Sequence, residues 1–263
     1  GLNDAFLIDT ATRNQLVSAD AECAEIIKPF VRGQDICRWQ AEWAGLWMIF
    51  ARRGIDIDAY PSVKRHLQEF RERLEPKPEN WHGKEWPGRK AGTYKWYEVQ
   101  DTTEYWHEFS KAKIVYPEIT WRPQWSLDTK GTFSNNTVYF VPTDDLCILA
   151  VANAPVSWWR AWRTAVHGKD EALRFIGVFV RDIPIPRPTE TQRVNAERDV
   201  RRLIEITHHH HSVRSSALDW LKVEYGIDKP SQKLQDPIAL DSDTFVAEVK
   251  KLRGKSNPLP TAA

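Results

Sequence analysis

Methionine occurs once, at Met48, and the 263-residue chain does not open with it, so the sequence is expected to be cut from a longer protein or processed. Cysteine is nearly as scarce: Cys23, Cys37 and Cys147 are odd in number and widely spaced. That excludes a disulfide framework and a C-x-x-C metal clip, and it predicts a reducing, cytoplasmic setting. No apolar run approaches the roughly 18 residues of a membrane-spanning helix, and no basic-then-apolar leader stands at the start, so no membrane partner is expected. An excess of one charge is missing too, since 37 Lys and Arg against 36 Asp and Glu leave a formal +1. This excludes a polycation that holds nucleic acid by bulk charge, and a highly charged disordered tail.

Apolar residues, by contrast, make up 41% of the chain, enough for a real core. At about 150 residues per domain the length suggests one large domain or two smaller ones. Thirteen tryptophans are far above ordinary usage. Most read as buried aromatics. Trp39, Trp81, Trp86, Trp121 and Trp125 stand beside Arg or in polar stretches and read as parts of a wet, aromatic binding surface.

Ala5-Phe6-Leu7-Ile8 predicts a short strand. Thr10 caps a helix through Val17, and Asp20 caps a second that carries Ile26 and Ile27 and stops before Pro29. Strands are predicted over 36–39 and 46–51, with Gly45 as the turn between them. Val63, Leu67, Phe70 and Leu74 fall at three- and four-residue steps, which predicts one helix over 61–74 with a buried stripe. The stretch 76–93 has three prolines, three glycines and no period, and reads as a long loop. Further strands are predicted over 94–99, 113–119, 137–141 and 175–180. Asp101 caps a short helix to Phe109, 121–131 is turn-rich, Thr143 caps a helix over 144–153, and an aromatic-rich helix carries Trp158, Trp159 and Trp162. The run Ile183-Pro184-Ile185-Pro186-Arg187-Pro188 lacks ladder donors and should close the sheet. Beyond it a charged helix over 191–206, four histidines, and helices over 218–223 and 243–252 are predicted. There is no internal repeat.

No stretch makes a convincing active site. His208 and His211 would share a helix face, but without a carboxylate or cysteine ligand pattern the run reads as solvated histidines rather than a metal site. His66, His82, His107 and His167 are scattered. Asn153-Ala154-Pro155-Val156 departs from the Asn-Pro-Pro-aromatic turn of amino-methyltransferases at its second and fourth positions. Neither a Gly-rich phosphate turn, a Walker loop nor G-x-S-x-G occurs. Glu248-Val249-Lys250 with Asp228 imitates a metal-dependent nuclease, but Phe245, Val249 and Leu252 follow helical spacing, where acids on adjacent strands would be needed. No catalytic and no metal-binding residue is assigned.

What remains is a set of cations beside aromatics and amides. Lys28, Arg32, Gln34 and Arg38 flank Gly33, Arg52-Arg53 follow a strand end, and Lys111 and Lys113 lead into a strand that ends at Trp121-Arg122-Pro123-Gln124. Arg and Gln forks match guanine and adenine edges, and Lys neutralises phosphates.

Several stretches together resemble one family. Gly1-Leu2-Asn3-Asp4-Ala5-Phe6-Leu7-Ile8-Asp9 and Glu25-Ile26-Ile27-Lys28-Pro29-Phe30-Val31-Arg32-Gly33-Gln34-Asp35-Ile36 are similar to the opening of the TaqI-like C-terminal specificity domain. In order follow Ile57 to Leu67, Trp96-Tyr97-Glu98-Val99, Lys113 to Ile119, Asp144-Asp145-Leu146 through Asn153, and Ile183-Pro184-Ile185-Pro186. The tail, with Leu218-Asp219-Trp220-Leu221 and Tyr225 to Pro230, is similar to C-terminal extensions of the same large methylases. The resemblance implies the target recognition domain of an adenine-specific DNA methyltransferase or fused restriction–modification enzyme. It implies double-stranded DNA and an N-terminal methyltransferase domain of the parent chain as partners, and catalysis elsewhere. S-adenosylmethionine, and Mg²⁺ if the parent cleaves, would then belong to the parent, with no cofactor in this segment.

The expected architecture is α+β: a twisted, mostly antiparallel sheet with packed helices over 1–188, then a small helical extension over 189–263, as a monomer. The expected DNA-binding residues are Lys28, Arg32, Arg52, Arg53, Lys113, Trp121, Arg122 and Gln124, with the Trp81 to Arg89 loop in reserve. Two other readings stay open: a tryptophan-rich protein- or carbohydrate-binding module, and a Mg²⁺-dependent nuclease fragment using the tail acids.

Overall fold

The computed structural model describes residues 3–102 and 104–253. The chain divides into two compact units, Gly1–Glu197 and Arg198–Ala263. Helix α1 (Asn3–Phe6) runs into strand β1 (Leu7–Ile8), so the predicted strand begins two residues late. Helix α2 (Thr10–Ala19) is capped by Asp9, which accepts the Thr12 N–H at 2.7 Å, while the predicted cap Thr10 donates its hydroxyl to the Gly45 carbonyl.

The helix predicted over Ile26 and Ile27 is instead a short 3-10 turn followed by strand β2 (Ile27–Val31). Ile27, Phe30 and Val31 each enter a different apolar cluster, a demand that a strand between two packed faces meets. Pro29 is tolerated there. The bonds flanking it run from Phe50 N–H to the Ile26 carbonyl and from Phe30 N–H to the Leu46 carbonyl. Its own missing donor therefore points away from strand β3 (Trp47–Ile49). Residues 36–39 form no strand; Trp39, at φ 76°, makes a single bridge to Ser126. The helix predicted over 61–74 is split into α3 (Pro61–Gln68) and α4 (Arg71–Leu74), and Val63, Leu67 and Leu74 of its stripe are buried.

The stretch 94–99 is not a strand either. Buried Glu98 accepts the Lys95 N–H at 2.8 Å and the Gly54 N–H at 2.9 Å, and this folds the backbone back on itself. Of the helix predicted from Asp101, only a 3-10 turn over Trp106–Ser110 forms. Strands β4 (Lys113–Pro117), β5 (Ile119–Thr120), β6 (Ser126–Asp128), β7 (Phe133–Ser134) and β8 (Val138–Val141) follow. Helix α5 (Leu146–Ala152) is capped by Asp145 rather than Thr143, and α6 (Pro155–Thr164) starts with its proline in the first turn. Strands β9 (Val166–His167) and β10 (Leu173–Arg174) precede α7 (Gly177–Arg181), where a strand was expected. Phe175, two residues before this helix, stacks on Phe179 within it at 5.1 Å.

The strands form three small sheets, ordered β1-β3-β2-β7, β6-β4-β8 and β5-β10-β9, and every pairing except β2 with β7 is antiparallel. The fold is α+β. Helix α8 (Glu190–Tyr225) is continuous through the four histidines, which were expected to separate two helices. The second unit has its own core of Leu221, Ile227, Leu234 and Val249, the last from helix α9 (Ser242–Arg253). Among the described residues no helix is long and apolar enough to cross a membrane.

Candidate nucleic-acid interface

Three separate stretches meet because of how β2, β4 and their partners pair. β2 runs parallel to β7, with Val31 opposite Ser134, so Arg32 and Gly33 emerge beside the turn over 135–137. That turn leads into β8, which pairs with β4 so that Pro117 lies opposite Val138, and Glu118 N–H donates to the Thr137 carbonyl at 2.9 Å. The chain beyond β4 thus returns Trp121 to Gln124 to the same place. The result is a cleft of about 710 Å³ lined by Arg32, Gln34, Trp121, Arg122, Gln124 and Asn135 among others. Gly33 packs closely at this junction: a Cβ there would stand 3.3 Å from the Thr137 carbonyl oxygen.

The side chains in the cleft differ in what they have left to offer. Arg32 forks onto Asp35 through Nε at 3.0 Å and Nη2 at 2.8 Å, and its backbone N–H reaches the same buried carboxylate. This hydrogen-bonded ion pair raises the arginine above its ordinary pKa, against the effect of burial. Gln124 donates Nε2 to the Ile36 carbonyl at 2.8 Å and accepts the Thr120 hydroxyl at 2.6 Å, so both ends of its amide are engaged. Trp121 is 59% exposed, with its indole N–H held by the Asp170 carbonyl at 2.9 Å. Among the described residues, the Arg122 guanidinium and the Gln34 amide have no partner. Asn135 accepts from Thr137 through Oδ1, which leaves its amide donors outward.

Four of the eight expected residues, Arg32, Trp121, Arg122 and Gln124, therefore share this cleft. The others do not join them. Lys28 lies half-buried on β2 opposite Met48. Arg52 stands over the Trp106 ring at 5.6 Å, and Arg53 donates to the Gln100 carbonyl at 2.5 Å and to Thr93 Oγ1 at 3.2 Å. Lys113 must be withdrawn as a DNA contact. It is 1% exposed in β4, and its ammonium meets the Asp128 carboxylate and donates to the Phe109 carbonyl at 2.6 Å. The reserve loop changes role as well. Arg89 is buried and donates to the carbonyls of Leu74, Glu98, Lys95 and Trp96, and Trp86 donates to the Glu75 carbonyl while its ring meets Trp81 edge-on. Of the other tryptophans in polar stretches, Trp39 and Trp125 are core residues.

Gln34 and Asn135 were not among the expected site residues. Asn135-Asn136-Thr137 between two strands is a turn signal in the sequence, but only strand pairing sets that turn against Gly33. A second cleft, of about 970 Å³, lies on the other side of the turn, with Asn135 lining both. Its floor is aromatic, with Phe30, Phe50, Phe109 and Phe133 closely packed.

The remaining motifs are occupied. Asn153 is fully buried, donates Nδ2 to the Trp125 carbonyl at 2.8 Å and accepts the Trp125 N–H at 3.2 Å, so its amide does not fit a methyltransferase turn that must present this group to a base. Glu248 sits on helix α9, accepts the Ser231 hydroxyl at 2.6 Å and lies 3.9 Å from Lys251, while Asp228 faces Lys222 at 3.5 Å. His210 lies 3.9 Å from Asp236.

Residues 28–185 match the family model of the TaqI-like C-terminal specificity domain. The chain belongs to this family. The cleft of this specificity domain falls wholly inside the matched span. Residues 189–263 match a domain of unknown function (DUF8810). No curated protein matches the chain. A similar solved structure is the type IIL restriction-modification enzyme MmeI in complex with DNA, at 17% identity and a TM-score of 0.46. The match covers 98% of this chain and 32% of that one, so the chain spans about a third of the length of that enzyme.

Proposed function

We propose that this specificity domain recognises double-stranded DNA sequence-specifically, as one part of a larger adenine-N6 DNA methyltransferase or fused restriction–modification enzyme. The observation that carries this is the cleft between Gly33, the turn over 135–137 and Trp121–Gln124, where an unpartnered guanidinium and unpartnered amides stand beside an exposed indole. Such forks match base edges, where Arg pairs bidentately with guanine and Gln or Asn with adenine. In this reading Arg122 contacts a guanine and Trp121 packs on the adjoining nucleotide. Arg32, held by Asp35, sets the register against the backbone, and Lys28 and Arg52 add phosphate contacts outside the cleft.

Catalysis is assigned to an N-terminal methyltransferase domain of the parent, which would bind S-adenosylmethionine, and Mg²⁺ if the parent also cleaves. This chain supplies no ligand to either and acts as a cytoplasmic monomer.

The test is selection of the 263-residue chain against a pool of random-sequence duplexes at low salt. One short recovered motif, bound more weakly as salt rises, is the expected result. Recovery of no motif, or retention on a glycan array with no effect of salt, would overturn it in favour of a tryptophan-lined binding module.

A further inference from the structure

The cleft holds two glutamines, and only one is free to read a base. We infer that Gln34 is the adenine-reading residue of this specificity domain and that Gln124 is a positioning residue that holds the cleft wall. The inference rests on the DNA-recognition reading above and names the specificity determinant within it.

A glutamine reads adenine by donating to N7 through its NH₂ while its carbonyl accepts from the N6 amine, so both ends of the amide must be available. In Gln124 neither end is. Its Nε2 is bonded to the Ile36 carbonyl and its Oε1 accepts the Thr120 hydroxyl, whose oxygen in turn accepts the Arg122 N–H at 3.4 Å. Turning Gln124 toward a base would leave these half-buried groups unpaired and release the backbone beneath Arg122. Its role is to tie the Trp121–Gln124 segment to the turn that follows β2.

Gln34 stands across the same cleft, exposed, with no partner for its amide among the described residues. Its backbone is among the best-held in the region. Asp35 accepts from Arg32 three times, the Asp35 N–H reaches the Arg32 carbonyl at 2.9 Å, and the Glu42 N–H reaches the Asp35 carbonyl at 2.7 Å. Thr137 packs closely against Gly33 on the other side of the turn. A flexible side chain on a rigid base loses only its own rotamer freedom on binding, which is the arrangement a reading residue needs.

The experiment uses the full chain and the same random-duplex pool, with wild type, Gln34→Ala, Gln34→Glu and Gln124→Ala compared. Gln34→Ala is expected to keep the wild-type melting temperature and to lose adenine enrichment by about tenfold at one position of the motif. Gln34→Glu is expected to shift that position toward cytosine, whose N4 amine a carboxylate accepts. Gln124→Ala is expected to lower the melting temperature and weaken all sequences alike, with the motif unchanged. If both Gln34 variants recover the wild-type motif at every position, or if Gln124→Ala alone erases one base preference, the assignment is wrong. If wild type recovers no motif, the DNA-recognition reading itself fails and takes this inference with it.

Discussion

Lys113 and Arg122 are two cations of one strand-and-turn segment with opposite tasks. Lys113 is packed between β4 and β6, and burial pulls its amine below its ordinary pKa while Asp128 pulls the other way. Asp128 also accepts from the Thr132 N–H at 2.9 Å, the Thr132 hydroxyl at 2.7 Å and the Lys130 N–H at 2.8 Å. Lys113→Ala leaves that carboxylate buried without its counter-ion, and urea unfolding should show a loss of about 3–5 kcal/mol. Arg122→Ala removes a guanidinium that has no hydrogen-bond or ion-pair partner among the described residues. It should leave unfolding within about 0.5 kcal/mol of wild type. In a duplex-binding assay the same variant should lose about 1–3 kcal/mol and relax one position of the target. A fall in melting temperature for Arg122→Ala would mean that the guanidinium is structural.

Helix α5 shows how one cap joins distant elements. Asp145 accepts the Cys147 N–H at 2.7 Å and the Ile148 N–H at 3.3 Å, and Arg193 of α8 donates to it at 3.0 Å. Burial acts to raise this carboxyl, but the Arg193 guanidinium and the two backbone donors outweigh it and hold the pKa below its ordinary 3.8. A depressed carboxylate contributes stability above its unfolded pKa, and that contribution is lost as pH falls through the folded value. Stability that Asp145 provides at neutral pH should therefore decline below about pH 4. Asp145→Ala should cost about 1 kcal/mol at pH 7 through the lost cap. Asp145→Asn should keep much of the capping and show less acid loss than wild type in pH-dependent thermal melts.

At the scale of the whole molecule, a formal +1 means that DNA affinity cannot come from bulk charge. Each phosphate contact steepens the log–log dependence of affinity on salt by about −0.9. With Arg32, Lys28 and Arg52 as the cations on phosphates, a slope of about −3 is expected in a duplex titration. A slope near zero would exclude phosphate contacts, and one near −8 would require a cationic surface far larger than this cleft.

Much of the fold was legible in the sequence because the signals involved are local. The stripe Val63, Leu67 and Leu74, the β4 and β8 strands, and the last helix are each written in the pattern of residues a few positions apart. The string from Lys28 to Ile36 is equally local, and it pointed to the family. Among the elements that failed, β2 is one whose burial on several faces is set by distant neighbours. Within the candidate site the division is sharper still. Sequence alone supplied the residue types, Arg and Gln beside Trp in polar turns. Only the tertiary structure decided which of them are free, because Gln124 is engaged by Ile36, 88 positions away, and Gly33 is set against a turn more than 100 residues downstream. Periodicity carries information along the chain, whereas desolvation and hydrogen-bond engagement depend on what folding brings alongside.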